Sequence, residues 1–259
     1  MNRTEALRTT RAQGWVMGAR RRTAPALRLF CLPYAGGSAS AYTQWPDAFP
    51  DDVEVCAVEL PGRQTRWRDD AFTRVEPLVE ALASALAGEL GVPYALFGHS
   101  MGSLVAFELA RELRRRGLGE PRVLFVSGGP APQLPREQPR IHDGPQALVV
   151  ERLRSLGGLP EEVYDAPELL ELLLPTIRAD FAVCETYTYR SGPPLACPVV
   201  AFAGAEDREA PPSRVDPWRE QTSGGFLKRV LPGGHFFLRS AQAELIGTIR
   251  AALGREWKP

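Results

Sequence analysis

Residues 93–102 read P-Y-A-L-F-G-H-S-M-G, and they constrain the fold of this chain more than any other stretch. Ala95, Leu96 and Phe97 run straight into Gly98-His99-Ser100-Met101-Gly102, and residues 103–110 follow with helix-like apolar spacing. Strand, tight turn and helix are therefore predicted in succession, with G-x-S-x-G at the turn. A serine at such a turn has a strained backbone and a hydroxyl exposed at a helix N-terminus. The two glycines are needed because a Cβ at either position would collide with the neighbouring strand and helix. The helix N-terminus brings backbone N–H groups and a positive dipole end beside the hydroxyl, where an oxyanion would form. A chance match in a chain with 24 glycines is the competing reading, so a base, an acid and a pocket must be found elsewhere.

Strand-like and helical segments alternate around this stretch. Apolar runs suited to strands buried on both faces occupy residues 27–32, 53–60, 122–127, 198–203 and 226–231, with a short edge strand at 15–17. Helical patterns occupy 39–49, 75–90, 103–116, 213–221 and 241–253, and Gly91 and Gly117 are suited to close two of them. This is an α/β architecture, a mostly parallel sheet flanked by helices on both faces. The rhythm breaks over residues 131–190, where a loop with Pro132, Pro135 and Pro139 precedes helical tracts at 145–156 and 167–189. A helical insertion at a strand end is expected to act as a lid. The chain thus divides into a disordered, arginine-rich N-terminus (1–14), a core (15–130 and 191–259) and a helical lid insertion (131–190).

Composition closes off several functions. The formal net charge is zero, which gives no electrostatic case for nucleic acid or an anionic membrane. No apolar run approaches membrane-spanning length, and the N-terminal residues lack the apolar core of a secretory signal. Cys31, Cys56, Cys184 and Cys197 are far apart and read as free thiols in a reducing compartment, not as a disulfide or zinc framework. A soluble, cytoplasmic, monomeric enzyme is expected.

In an open α/β sheet the working residues sit at the carboxyl ends of the strands. Of three histidines, His99 lies inside the turn and His142 in the insertion, whereas His235 follows strand 226–231 through Pro232-Gly233-Gly234. His235 is therefore the candidate base, able to take the Ser100 proton and return it to a leaving group. The acid that holds the imidazole should also end a strand. Strand 122–127 leads to Gly128-Gly129-Pro130 without a carboxylate, while strand 198–203 leads to Gly204-Ala205-Glu206-Asp207. Asp207 is the preferred acid, with Glu206 its local rival and Asp216 a more distant one. The oxyanion donors are assigned to the backbone N–H groups of Met101 and of Ala35, in the loop Pro33-Tyr34-Ala35-Gly36-Gly37. An ordinary Gly-Gly turn is the alternative for that loop.

Several motifs carry a family resemblance. Leu32-Pro33-Tyr34-Ala35-Gly36-Gly37-Ser38, Leu60-Pro61-Gly62-Arg63 and Gly98-His99-Ser100-Met101-Gly102 resemble those of the type II thioesterases of polyketide and nonribosomal peptide biosynthesis. Similar too are the tract Leu174 to Phe181 containing Arg178-Ala179-Asp180-Phe181, Glu185 and Tyr187 after it, and Gly233-Gly234-His235-Phe236-Phe237-Leu238. The resemblance implies an α/β-hydrolase fold with a helical lid and a triad of Ser100, Asp207 and His235. It implies a substrate, an acyl chain thioester-linked to the phosphopantetheine arm of an acyl or peptidyl carrier protein, and a role in removing stalled or aberrant acyl groups. It implies neither metal nor cofactor. One departure is Arg208, since the family often has Asp followed by Pro at the acid. Arg63, Arg66 and Arg68 are candidates to guide an acidic carrier, against the plainer reading of a solvated basic loop. The competing functions are an esterase or amidase acting on free small molecules, and a non-catalytic binding module on the same fold.

Overall fold

The computed structural model describes residues 14–17 and 25–254. Residues 1–13 of the expected disordered N-terminus lie outside the described residues. Seven strands build one sheet: β1 (Val16–Met17), β2 (Leu27–Leu32), β3 (Val53–Val58), β4 (Tyr94–His99), β5 (Leu124–Ser127), β6 (Val199–Gly204) and β7 (Phe226–Leu231). Their order is β1-β3-β2-β4-β5-β6-β7. Every neighbouring pair is parallel except β1 with β3. The helices are α1 (Val75–Leu86), α2 (Met101–Arg115), α3 (Gln146–Leu156), α4 (Glu161–Tyr164), α5 (Pro167–Glu185), α6 (Pro212–Val215), α7 (Phe237–Ser240) and α8 (Gln242–Leu253).

The two-residue period of the strands sorts their side chains between two cores. Phe30, Leu32, Leu96, Val126, Val199 and Ala201 pack with Leu78 and Leu82 of α1 and with Val105 and Leu109 of α2. Leu29, Cys31, Ala95, Phe97, Phe125, Val200 and Phe202 pack on the opposite face with Tyr42, Trp45 and with Leu245 and Ile249 of α8. Burial on both faces explains why these strands are continuous apolar runs. The helices α3 to α5 all fall between β5 and β6, and the segment has an apolar cluster of its own: Ile141, Val149, Leu153, Leu170, Leu174, Ile177 and Phe181.

Two expected helices are not continuous. Residues 39–49 form two short 3-10 turns, Ala39–Tyr42 and Trp45–Ala48, because the Pro46 ring cannot follow a helical turn without striking the carbonyl four residues back. Residues 213–221 are four-residue α6 followed by a 3-10 turn, Asp216–Gln221, with Pro217 at the join. The short helices α4 and α7 had no periodic pattern to announce them. All four cysteines are free. Among the described residues no helix is long and apolar enough to cross a membrane, and no group of His, Cys, Asp and Glu could hold a metal ion.

Candidate active site

β4 runs between β2 and β5, with Gly98 level with Leu32 on one side and Val126 on the other. Ser100 leaves its carboxyl end with φ 54° and ψ −118°, and Gln64 is the one other non-glycine residue at positive φ among the described residues. The turn is held by Ser100 N–H donating to Ser127 O at 2.7 Å and by Ser103 Oγ donating to Ser100 O at 2.6 Å. A Cβ on Gly98 would lie 1.9 Å from Gly102 O, and one on Gly102 would lie 2.4 Å from Leu32 O. Real contacts are never that short, so both glycines are compulsory. The strained serine is a product of this close packing.

The candidate base and acid arrive on adjoining loops. Gly204 packs so close to the loop after β7 that a Cβ on it would sit 2.6 Å from the carbonyls of Gly233 and Gly234. Two bonds join the loops, Ala205 N–H to Leu231 O at 2.8 Å and Glu206 N–H to Gly233 O at 3.0 Å. Asp207 is consequently buried beside His235, with Oδ2 2.9 Å from Nδ1. Its Oδ1 accepts from the N–H groups of Glu209 (2.9 Å) and Ala210 (3.1 Å), which fixes the carboxylate plane. His235 Nε2 lies 3.0 Å from Ser100 Oγ. The structure thus brings Ser100, His235 and Asp207 together. Glu206 is exposed, and Asp216 is engaged elsewhere, 2.8 Å from Lys228.

His99 is fully buried, with its Nδ1 2.9 Å from Ser127 Oγ and aromatic contacts to Tyr34, Phe236 and Phe237. Burial, reinforced by the neighbouring His235, holds its pKa well below the ordinary histidine value, so it packs as a neutral ring. Ala35 lines the same cavity as Ser100 and His235. Among the described residues neither the Ala35 N–H nor the Met101 N–H has a hydrogen-bond partner. Both amides are therefore free to serve as donors.

Two cavities meet at Ser100. One, of about 310 Å³, has Ala35 and His235 at the serine and Ile141, Leu153 and Phe181 in its walls, with Arg152 and Glu209 also lining it. The other, of about 430 Å³, runs past Met101 and Leu104 beneath the loop of Pro130, Pro132 and Pro135. Cys184 lines both, but burial, with the charge of Asp180 adding to it, pushes its thiol up to about 12. A thiol so protonated is a poor nucleophile.

Three polar contacts around the site had no local signal in the sequence. Fully buried Glu185 accepts from the N–H groups of Ile141 (3.0 Å) and His142 (3.1 Å), from His142 Nδ1 (2.6 Å) and from Arg136 (3.2 Å). His142 is thus a fastening of the proline-rich loop and not a free polar residue. Arg152 of α3 pairs with Glu209, two residues past the acid. Arg63 is buried against Asp180, so it is not available to guide a partner as expected. Arg66 pairs with Asp69 at 2.7 Å and lies 4.0 Å from the centre of the Trp15 ring, which leaves Arg68, over exposed Trp67, as the accessible cation of the three. The signal for Arg63 and Asp180 was their membership of the shared motifs, which marks them without saying what they touch.

Residues 27–253 match the thioesterase domain family. The gramicidin S biosynthesis protein GrsT of Aneurinibacillus migulanus is 42% identical over 232 residues, 90% of this chain and 91% of that protein. The solved structure of RedJ, a thioesterase from the prodiginine pathway of Streptomyces coelicolor, is similar with a TM-score of 0.85 at 43% identity, over 90% of this chain and 92% of RedJ. The type II thioesterase BorB of the borrelidin cluster matches with a TM-score of 0.83 at 37% identity, over 92% and 97% of the two chains.

Proposed function

The chain belongs to the thioesterase domain family, and from that premise we propose that it hydrolyses acyl groups from the phosphopantetheine arm of a carrier protein, editing a polyketide or nonribosomal peptide synthase. Its relatives in such pathways support the synthase context. The observation that carries the mechanism is the unbroken relay from Ser100 Oγ through His235 (3.0 Å) to Asp207 (2.9 Å).

In this reading His235 Nδ1–H donates a hydrogen bond to the Asp207 carboxylate, so that Nε2 presents its lone pair to the serine. Ser100 Oγ attacks the thioester carbonyl as His235 takes its proton, and the oxyanion is held by the Ala35 and Met101 amides. The C–S bond breaks, the pantetheine sulfur leaves as a thiol with the proton from His235, and an acyl-serine remains. Water, deprotonated by His235, then attacks the ester and restores Ser100 as the carboxylic acid departs. The two cavities suit the two halves of such a substrate: the acyl group against Leu153 and Phe181, and the arm beneath the proline-rich loop. The helices between β5 and β6 act as the lid, walling the serine off from bulk water.

The test compares one acyl group on a carrier protein, on N-acetylcysteamine and as a simple ester. The carrier-bound form is expected to show a kcat/KM about ten-fold or more above the others, because binding energy from the arm and carrier is realised at the reacting carbon. Equal rates on the three would instead favour an esterase of free small molecules.

A further inference from the structure

Three motifs that lie far apart in the chain meet in one buried cluster against the loop that carries Ala35. Arg63, after Leu60-Pro61-Gly62, forms a two-pronged pair with Asp180 of α5, Nη2 to Oδ1 at 2.7 Å and Nη1 to Oδ2 at 2.9 Å. Both side chains are almost completely buried. Each also reaches the backbone of the loop after β2. Asp180 Oδ2 accepts the Gly36 N–H at 2.7 Å, and Arg63 Nη1 donates to Gly37 O at 2.8 Å. Gly36 has φ 73°, and a Cβ there would come within 3.1 Å of Ile177, one turn before Asp180. A further bond, Gly37 N–H to Tyr34 O at 2.8 Å, closes the loop around Ala35.

A buried ion pair is a poor source of stability, since desolvation offsets most of its attraction and an apolar pair of similar size is often as good. Its distinctive property is fixed geometry, because guanidinium and carboxylate lock in one plane and leave donors and acceptors to spare. Here the spare donors and acceptors hold the Gly36 N–H and the Gly37 carbonyl, just past Ala35, while the Ala35 N–H itself stays unbonded. We infer that Arg63 and Asp180 are positioning residues for the oxyanion donor: they clamp the loop so that the Ala35 amide faces the serine before substrate binds. Donors act through such preorganisation, because they gain nothing if they must be ordered during the reaction. The inference rests on the proposed roles of Ser100 and Ala35.

The test uses Arg63→Met/Asp180→Leu, which replaces the pair by apolar side chains of similar size, and Asp180→Asn, which keeps an acceptor for Gly36 but loses the charge. Folding is checked by near-ultraviolet circular dichroism. With an acyl-N-acetylcysteamine substrate the double variant is expected to lose about 100-fold in kcat, the scale of one oxyanion donor, with KM within about three-fold of the parent. Asp180→Asn should fall between the two, at about 10-fold. Affinity for an acyl trifluoromethyl ketone, whose serine adduct carries an oxyanion, should drop in step with kcat. The pH–rate profile should keep its shape, since the His235–Asp207 pair is untouched. Loosening of the fold alone would move KM and the profile as well. Folded variants with kcat within about three-fold of the parent would overturn the clamp. A Ser100→Ala variant that still turned over would instead overturn the active-site reading beneath it.

Discussion

Glu206 and Asp207 are adjacent carboxylates with opposite surroundings. One is exposed, whereas the other is enclosed by two backbone N–H groups and an imidazole. Asp207→Asn keeps the shape but presents an amide to His235, favouring the wrong tautomer, so kcat should fall by about 10⁴-fold. Glu206→Gln should leave kcat within about two-fold. Steady-state kinetics on the two variants checks the pair, and the reverse ranking would move the acid to Glu206. Much of this was legible in the chain, since a lone histidine and a carboxylate that each end a strand leave few choices. Arg63 and Asp180 were not, because a pair separated by 117 residues leaves no periodicity or spacing behind. The same holds for Glu185, whose partners arrive through a loop without regular structure.

At the scale of the element, the strand–turn–helix unit is built with no clearance. The Cβ of a Gly98→Ala variant would overlap the Gly102 carbonyl at 1.9 Å, so β4 and α2 would have to separate. A loss of about 3 kcal/mol or more is expected, at the upper end for an overpacked core position. Urea unfolding would measure it, and a loss below about 1 kcal/mol would show that the turn can relax. Elements with a clean period were readable from their residues, as the even division of strand side chains between two cores makes plain. Those interrupted by Pro46 or Pro217 were not, because apolar spacing survives where a proline prevents the helix. In the segment between β5 and β6, α5 stands apart from α3 and α4. Moving it would break the buried Asp180–Arg63 pair, at a cost of about 3–5 kcal/mol.

For the molecule as a whole, His99 ties stability to pH. In the unfolded chain it titrates near 6.5, whereas burial keeps it neutral in the fold well below that. Under acid the unfolded state therefore takes up a proton that the folded state refuses. Its contribution is complete above pH 6.5 and is lost as pH falls toward the lowered folded value, by at most about 1.4 kcal/mol per pH unit. Glu59 works with the opposite sign: burial raises its pKa, so its contribution is present below 4.5 and fades as pH rises through the folded value. Thermal midpoints of the parent and a His99→Asn variant, taken from about pH 7.5 to about pH 5, isolate the histidine term. The parent should lose stability more steeply, and parallel curves would refute the assignment. The strand order has a consequence for how activity appears during synthesis. The serine follows central β4, but its proposed base follows β7, the edge strand and the last of the seven to emerge. If the proposed triad holds, a nascent chain that has made the elbow, the loop of Ala35 and even Asp207 still lacks the base for attack on a thioester. On the proposed triad the catalyst is complete only once the final strand has docked and set His235 beside Ser100, and a chain lacking it would carry a serine with no base to activate it.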